Sequence, residues 1–157
     1  MKPLLPFSIA VSFLLAAAFG VAAQSQDVHR VIAPQDIKWQ AAPGLPPGAQ
    51  VAVLFGDPAR PEMLALRLKM PKGYVVPPHT HPTQEVITVM SGRLLVGDGA
   101  TADRAMTTPV WAGGIFVIPA NHPHYAYVDD DAEIQANGMG PFVMDYVNPD
   151  DDPLRKQ

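Results

Sequence analysis

Alternating hydrophobic and polar residues predict a series of short β-strands along the chain. The clearest case is M-L-A-L-R-L-K-M at 63–70, where leucine or methionine stands at every second position from Leu64. A period of two is typical of a strand with one buried face. Comparable strands are predicted at 49–58, 74–76, 85–90, 93–99, 113–119, 124–128, 133–138 and 142–147. Because no helical stripe interrupts them, the pattern indicates an all-β sandwich or barrel.

Composition supports a single domain made of many short elements. The chain has 157 residues, of which 48% are hydrophobic and 17% charged, so it can build a core and is not globally disordered. Its 18 prolines and 12 glycines fit frequent tight turns. The net charge of −4, with no cluster of Lys or Arg, disfavours nucleic acid or an anionic membrane as a partner. The absence of cysteine excludes disulfides and thiolate metal sites, so a metal would need nitrogen and oxygen ligands.

The first 23 residues have the layout of a secretory signal peptide. Lys2 precedes an apolar stretch that ends in the small residues V-A-A, which predicts cleavage near Ala23. A retained membrane anchor is the competing interpretation. It is disfavoured because the stretch is Ala-rich, contains Pro6 and lacks a charge on its far side. We therefore expect a secreted or periplasmic protein that has no membrane contact after cleavage.

The rest of the chain divides into three parts by composition. Residues 24–48 are expected to form an extended N-terminal arm with a turn-rich end, A-P-G-L-P-P-G. Residues 49–147 hold the predicted strands and form the β-barrel. Residues 148–157, N-P-D-D-D-P-L-R-K-Q, are expected to be a polar C-terminal tail because prolines interrupt them and few are apolar.

Two of the five histidines lie in H-T-H-P-T-Q-E at 79–85. His79 and His81 are two apart, so on an extended segment both imidazoles point to the same face. Pro82 starts a turn, and a hairpin there would bring Glu85 beside the two rings. Such a group suits a metal. The alternative, a purely structural cluster, is disfavoured because buried His and Glu without an ion need a partner for every polar atom.

A second pair of histidines lies in I-P-A-N-H-P-H-Y at 118–125. His122 and His124 are again two apart and flanked by proline. One ligand from this segment would complete a set of three histidines and one glutamate. Such nitrogen and oxygen sites suit Fe, Mn, Ni, Zn or Cu rather than Ca or Mg.

The residues around the first histidine pair resemble the first motif of the cupin superfamily in identity and spacing. The matching positions are Gly73, His79, His81, Glu85 and Gly92. The second motif is similar to Gly113, Pro119, Asn121, His124 and Val128. This chain has Asn121 where the family usually has Gly, a mild change because Asn tolerates a left-handed backbone. It has Val128 where the family usually has Asn, which puts a polar role there in doubt.

The resemblance implies a double-stranded β-helix, or jelly-roll barrel, with a metal inside it. Carried over by position, the metal ligands are His79, His81, Glu85 and His124, and His122 is a residue of the rim or behind the ligands. The chain most resembles small stand-alone cupins similar to the cupin domain of zinc-binding anti-sigma factors. It has no sigma-binding helical domain, so that regulatory role does not carry over. The resemblance also suggests a homodimer.

Two classes of function are consistent with such a site. The first is a metal-dependent enzyme acting on a small organic molecule, most plausibly an oxidoreductase of the dioxygenase type with Fe(II), or an isomerase or decarboxylase with Mn, Ni or Zn. Glu85 is its predicted catalytic residue, as a labile ligand or a proton acceptor. The second is a non-catalytic module that binds or senses a metal or small ligand. Polar side chains converging on an open metal would favour the enzyme, whereas apolar walls would favour the binder.

Overall fold

The computed structural model describes residues 29–156, so the predicted signal peptide at 1–23 lies outside the described residues. All elements below belong to the compact unit Ile32–Gln157. Nine strands make up the sheet: β1 Gln40–Ala41, β2 Gln50–Phe55, β3 Met63–Met70, β4 Val75–Thr80, β5 Glu85–Asp98, β6 Thr107–Trp111, β7 Ile115–Ile118, β8 His124–Met139 and β9 Asp145–Tyr146. The helical elements are 3-10 turns at Pro34–Asp36, Arg104–Met106, Pro149–Asp151 and Pro153–Lys156. No helix within 29–156 is long and apolar enough to cross a membrane.

Two long strands, β5 and β8, form the backbone of the fold. They pair antiparallel along their whole lengths, from Glu85 opposite Gly138 to Asp98 opposite His124. One half of this ribbon is flanked by β3 and β7, and β2 and β1 extend the sheet beyond β3. The other half is flanked by β4 and β6, and β9 lies beyond β4. This curled antiparallel sheet confirms the predicted all-β jelly-roll fold.

The ribbon bends where the sequence predicts strand ends. The pairing register of β5 and β8 shifts between Val89 and Leu94. Gly92 has a φ of +74°, and a Cβ there would collide with the carbonyl oxygen of Asp131 on β8. The prediction of separate strands at 85–90 and 93–99, and at 124–128 and 133–138, is therefore wrong. Each pair is one continuous strand with a bulged bend, because bulges use the same Gly and Asp residues as turns.

Inward-facing residues of the alternating strands build the core. Leu64 and Leu66 of β3 are 1% and 3% exposed, and Val89 of β5 is fully buried. Their polar neighbours lie on the outer face, where Arg67 of β3 pairs with Glu133 of β8 at 3.0 Å. Alternation thus places the apolar side chains between the two halves of the curled sheet, which is also where the ends of β4, β5 and β8 deliver their histidines and glutamate.

Two segments differ from the sequence pattern. Strand β6 was not predicted because Pro109 lies inside it, but β6 pairs only with β5 and is an edge strand, where proline is tolerated. The strand predicted at 142–147 is reduced to Asp145–Tyr146, which pairs with the end of β4. The two C-terminal 3-10 turns lie in the segment predicted to be a polar tail.

Candidate metal centre

Adjacent strands bring three of the predicted ligands together. His79 of β4 is the direct cross-strand partner of His124, the first residue of β8. His81 follows β4 two positions later. The three imidazoles can each offer a ligand atom, and these atoms lie within 4.8 Å of one another. All three side chains are buried, with 4–6% of each residue exposed. The structure therefore groups the histidines as their spacing predicts.

Each imidazole is oriented by a hydrogen bond from Nδ1 to a backbone carbonyl oxygen. These pairs are His79 with Pro77 at 2.8 Å, His81 with Val143 at 2.6 Å and His124 with His122 at 3.0 Å. A carbonyl oxygen only accepts, so Nδ1 must carry the proton. The lone pair of the neutral ring is then on Nε2. This is the usual arrangement behind metal-binding histidines, where the far nitrogen is fixed and the near one is left to coordinate.

Burial keeps the three rings neutral. Desolvation, together with the neighbouring His124 and His81, lowers the pKa of His79 to about 2. Desolvation likewise lowers the pKa of His81 to about 4 and lowers that of His124. At neutral pH all three are therefore unprotonated, which is the state that binds a metal.

Glu85 lies beside this group through His81. It is the first residue of β5 and is 4% exposed, and its Oε2 is 3.4 Å from Nε2 of His81. Its other oxygen, Oε1, is buried and has no hydrogen-bond partner. Desolvation raises the pKa of this carboxyl to about 7. The group of mutually close ligand atoms contains the three histidines and not Glu85.

These side chains fit a divalent transition metal. Nε2 of His81 and Oε2 of Glu85 are both acceptors when His81 is protonated at Nδ1, so their approach needs a cation or a proton between them. The unpartnered Oε1 of Glu85 is the kind of buried polar atom that an ion satisfies. Imidazole nitrogen with a carboxylate oxygen is a donor set shared by Fe, Mn, Ni, Zn and Cu sites.

His122 takes a different place, as its variable motif position implies. Its side chain is 44% exposed and its Nε2 lies 3.2 Å from Oδ1 of Asp98 at the surface. Only its backbone serves the site, by accepting the hydrogen bond from His124. The residue before it, Asn121, has a φ of +58° and donates its backbone N–H to the carbonyl of His81 at 2.7 Å. The left-handed turn expected at Asn121 thus ties the two histidine segments together.

The other departure from the family pattern, Val128, has no polar role. It is 1% exposed and packs in the hydrophobic core. An apolar side chain is well placed there because its surroundings are the buried residues of the sheet, whereas an amide would need hydrogen-bond partners.

The histidines and Glu85 line a cavity of about 490 Å³. Several other lining residues come from the C-terminal segment after β8, which sequence analysis did not assign to the site. Phe142 stacks on the ring of His81 with centroids 4.9 Å apart, and Tyr146 of β9 lies 6.0 Å from His79. The only sequence signal was the aromatic content of 142–147, because nothing local shows where that segment docks. Leu66, Leu68, Phe116 and Ile118, expected to be core residues, also line the cavity.

Comparison with known proteins agrees with this fold and site. A family model described as Cupin matches residues 60–136, which hold the four ligand candidates. The polyketide cyclase RemF from Streptomyces resistomycificus has the same fold, with a TM-score of 0.65 at 18% identity, covering 80% of this chain and 90% of that one. The chain therefore belongs to the cupin superfamily.

Two further relatives are oxidases or germin-like proteins by name. Germin-like protein 1-1 of Oryza sativa subsp. japonica is 42% identical over 69 residues, which cover 43% of this chain and 28% of that protein. The matched segments span about 30% of the length of the curated relatives. A solved structure of an oxalate oxidase is 26% identical with a TM-score of 0.52, covering 65% of this chain and 56% of that one. The similarity to anti-sigma cupin domains stays a prediction.

Proposed function

We propose that this chain is an exported, metal-dependent cupin enzyme, an oxidoreductase of the dioxygenase type that acts on a small organic molecule. The observation that carries this proposal is the set of three buried neutral imidazoles whose Nδ1 atoms are held by carbonyls, so that Nε2 is free on each. His79, His81, His124 and Glu85 would hold the metal. The relation to an oxalate oxidase supports oxidoreductase chemistry over other reactions of the fold.

The residues divide the catalytic tasks between them. A bound transition metal supplies Lewis-acid polarisation and, as Fe(II), the capacity to react with O₂. Glu85 is placed to accept a proton from the organic molecule, since burial raises its pKa to about 7 and a base works best near the ambient pH. The positive charge of a bound metal would lower that pKa again, so Glu85 acts as ligand and base in competition. The apolar walls keep bulk water from the reacting atoms.

The decisive experiment separates metal loading from turnover. Protein from expression of the full chain is stripped of metal, reloaded anaerobically with Fe(II), and tested for oxygen consumption with a panel of phenols, enols and diketones. We expect oxygen uptake with at least one substrate, and none with zinc-loaded protein or with His79→Ala. Stoichiometric iron binding without oxygen uptake for any substrate would contradict the oxidoreductase proposal.

A non-catalytic small-ligand binder is the second candidate, and the cavity walls favour it. Its lining is almost entirely apolar apart from the metal centre itself. Few side chains are therefore available to orient a reaction beyond Glu85. A binder would hold ligand unchanged after prolonged incubation with every redox-active metal, whereas an enzyme would release a product detectable by mass spectrometry.

Export and assembly belong to the same proposal. Cleavage near Ala23 predicts a mature protein whose N-terminus, read by Edman degradation or mass spectrometry, starts at residue 24. A protein that keeps residues 1–23 would contradict export by a cleaved signal. The homodimer that the cupin resemblance suggests stays a prediction, and analytical ultracentrifugation of the purified protein tests it.

A further inference from the structure

The charge distribution of the cavity limits what it can bind. Among the lining residues that the structure describes, none is Lys or Arg. A carboxylate, phosphate or sulfate at the wall would therefore have no cation to pair with, and burying an unpaired charge is costly. The acidic side chain of Asp152, which also lines the cavity, further disfavours an anionic group away from the metal centre.

The polar side chains of the wall already have partners. The hydroxyl of Tyr146 donates to the carbonyl oxygen of Gly44 at 2.8 Å. The hydroxyl of Tyr125 donates to the carbonyl oxygen of Asp103 at 2.9 Å. These hydroxyl protons are thus committed inside the protein. A ligand rich in hydroxyl groups would lose its hydrogen bonds to water here without replacement, which disfavours sugars.

The remaining wall is apolar and large enough for a compact organic molecule. Its residues include Val51, Val53, Leu68, Val96, Phe116 and Met144. The volume of about 490 Å³ lies within the roughly 300–1,000 Å³ that is typical of small-molecule sites. Such walls contribute affinity in proportion to the apolar surface that they cover.

We infer that the cavity binds a compact apolar molecule that carries its oxygen donors at one end only, with that end against His79, His81 and His124 and the apolar body against the wall. A divalent ion held by three neutral imidazoles and one carboxylate keeps one positive charge, which one phenolate, enolate or carboxylate group neutralises. The ligand class is therefore a phenol, an enol or diketone, or a monocarboxylic acid with a hydrophobic body. Dicarboxylates, phosphates and sugars are excluded from this class.

This inference rests on the proposed function for the donor end and on the wall alone for the apolar end. The two parts can therefore be tested separately with three probes that share one donor pair. Catechol is the reference, 2,3-dihydroxynaphthalene adds a fused apolar ring, and 3,4-dihydroxybenzoate adds a carboxylate at the far end. Binding is measured by calorimetry under nitrogen with zinc-loaded and with metal-free protein.

We expect the fused ring to improve affinity about tenfold over catechol, from roughly 60 Å² of extra apolar surface at roughly 25 cal/mol per Å². The added carboxylate should weaken affinity at least about tenfold, because it finds no cation in the wall. The ring preference should persist in metal-free protein, although both affinities fall there.

A pair of variants on one strand localises the effect. Val53 lines the cavity and Phe55 lies on the same strand outside the cavity lining, and both are exposed, at 40% and 57%. Val53→Glu should lower the affinity for 2,3-dihydroxynaphthalene at least tenfold, and Phe55→Glu should change it less than twofold. Leu154→Glu, at a cavity-lining residue that is 56% exposed, provides a second disruptive variant should Val53→Glu fail to fold.

The outcomes distinguish the inference from the proposed function. If zinc-loaded protein binds catechol but the ring adds nothing, or the carboxylate improves binding, the inference is overturned while the metal site stands. If the protein takes up no zinc but the ring preference persists, the metal-dependent function is wrong and the apolar ligand class is supported. If no probe binds either form, or Phe55→Glu has the larger effect, the inference is wrong.

Discussion

Glu85→Gln should stabilise the metal-free protein at neutral and alkaline pH while weakening its affinity for metal. The carboxylate is 4% exposed, and one of its oxygens has no hydrogen-bond partner. Burying that charge costs free energy unless an ion is present. Glutamine has a similar shape without the charge, and its amide N–H can donate to the unprotonated Nε2 of His81. The variant therefore removes a cost from the metal-free state and a ligand from the metal-bound state.

The pKa of Glu85 sets the size of this effect. Burial raises it from 4.5 to about 7. At about 1.36 kcal/mol per pH unit, the ionised carboxylate lowers the free energy of unfolding by about 3 kcal/mol. Between pH 4.5 and 7 the native state still holds the proton that the unfolded state has released. The cost is therefore absent below pH 4.5, grows through this window, and is complete above pH 7.

The histidines have the opposite dependence and must be separated from it. Their pKa values in the native state lie below the usual 6.5, so the unfolded state binds more protons and stability rises with pH up to about 6.5. Because Glu85→Gln leaves these rings in place, the difference between variant and wild type isolates the carboxylate.

The assay is urea unfolding of both proteins with a chelator at pH 4.5, 6 and 8. The variant should match wild type at pH 4.5 and exceed it by about 3 kcal/mol at pH 8, whereas added zinc should stabilise wild type more than the variant. Glu62→Gln, which changes an exposed glutamate, should give no pH-dependent difference. A destabilised variant at pH 8, or a difference that ignores pH, would refute this account of Glu85.

Three further predictions test other parts of the site and fold. His124→Ala should abolish stoichiometric zinc binding in elemental analysis, whereas His122→Ala, whose side chain is 44% exposed, should retain full metal content; loss in both would contradict the ligand assignment. Phe142→Ala should lower zinc affinity about tenfold in competition titrations, because it removes the ring stacked on His81, and an unchanged affinity would show that the stack does not support the site. Gly92→Ala should cost at least about 2 kcal/mol in urea unfolding, since its φ is +74° and a methyl would collide with β8; a loss under about 0.5 kcal/mol would contradict the packing at this bend.

The sequence predicted the histidine cluster because its geometry is mostly local. His79 and His81 are two apart on an extended segment, and the turn after Pro82 starts the strand that carries Glu85. The approach of His124 could be expected from the family resemblance and is realised by direct pairing with His79. Spacing in a strand fixes which face a side chain occupies, so this part of the site follows from a period of two.

Contacts between distant segments could not be read in the same way. The carbonyl that orients His81 belongs to Val143, 62 residues away, and a backbone oxygen leaves no trace in the residue pattern. The docking of Phe142 and Tyr146 also depends on tertiary packing alone. Turn residues misled the strand boundaries, because Ser91-Gly92 and the aspartates at 129–131 bend continuous strands rather than end them.

The central claim is that three imidazoles of this chain hold one transition metal through Nε2. Its most direct test is a crystal of zinc-loaded protein measured on both sides of the zinc absorption edge. We predict one strong anomalous peak about 2.0–2.1 Å from Nε2 of His79, His81 and His124. A peak at the surface pair of His122 and Asp98 instead, or none among the buried histidines, would contradict the claim.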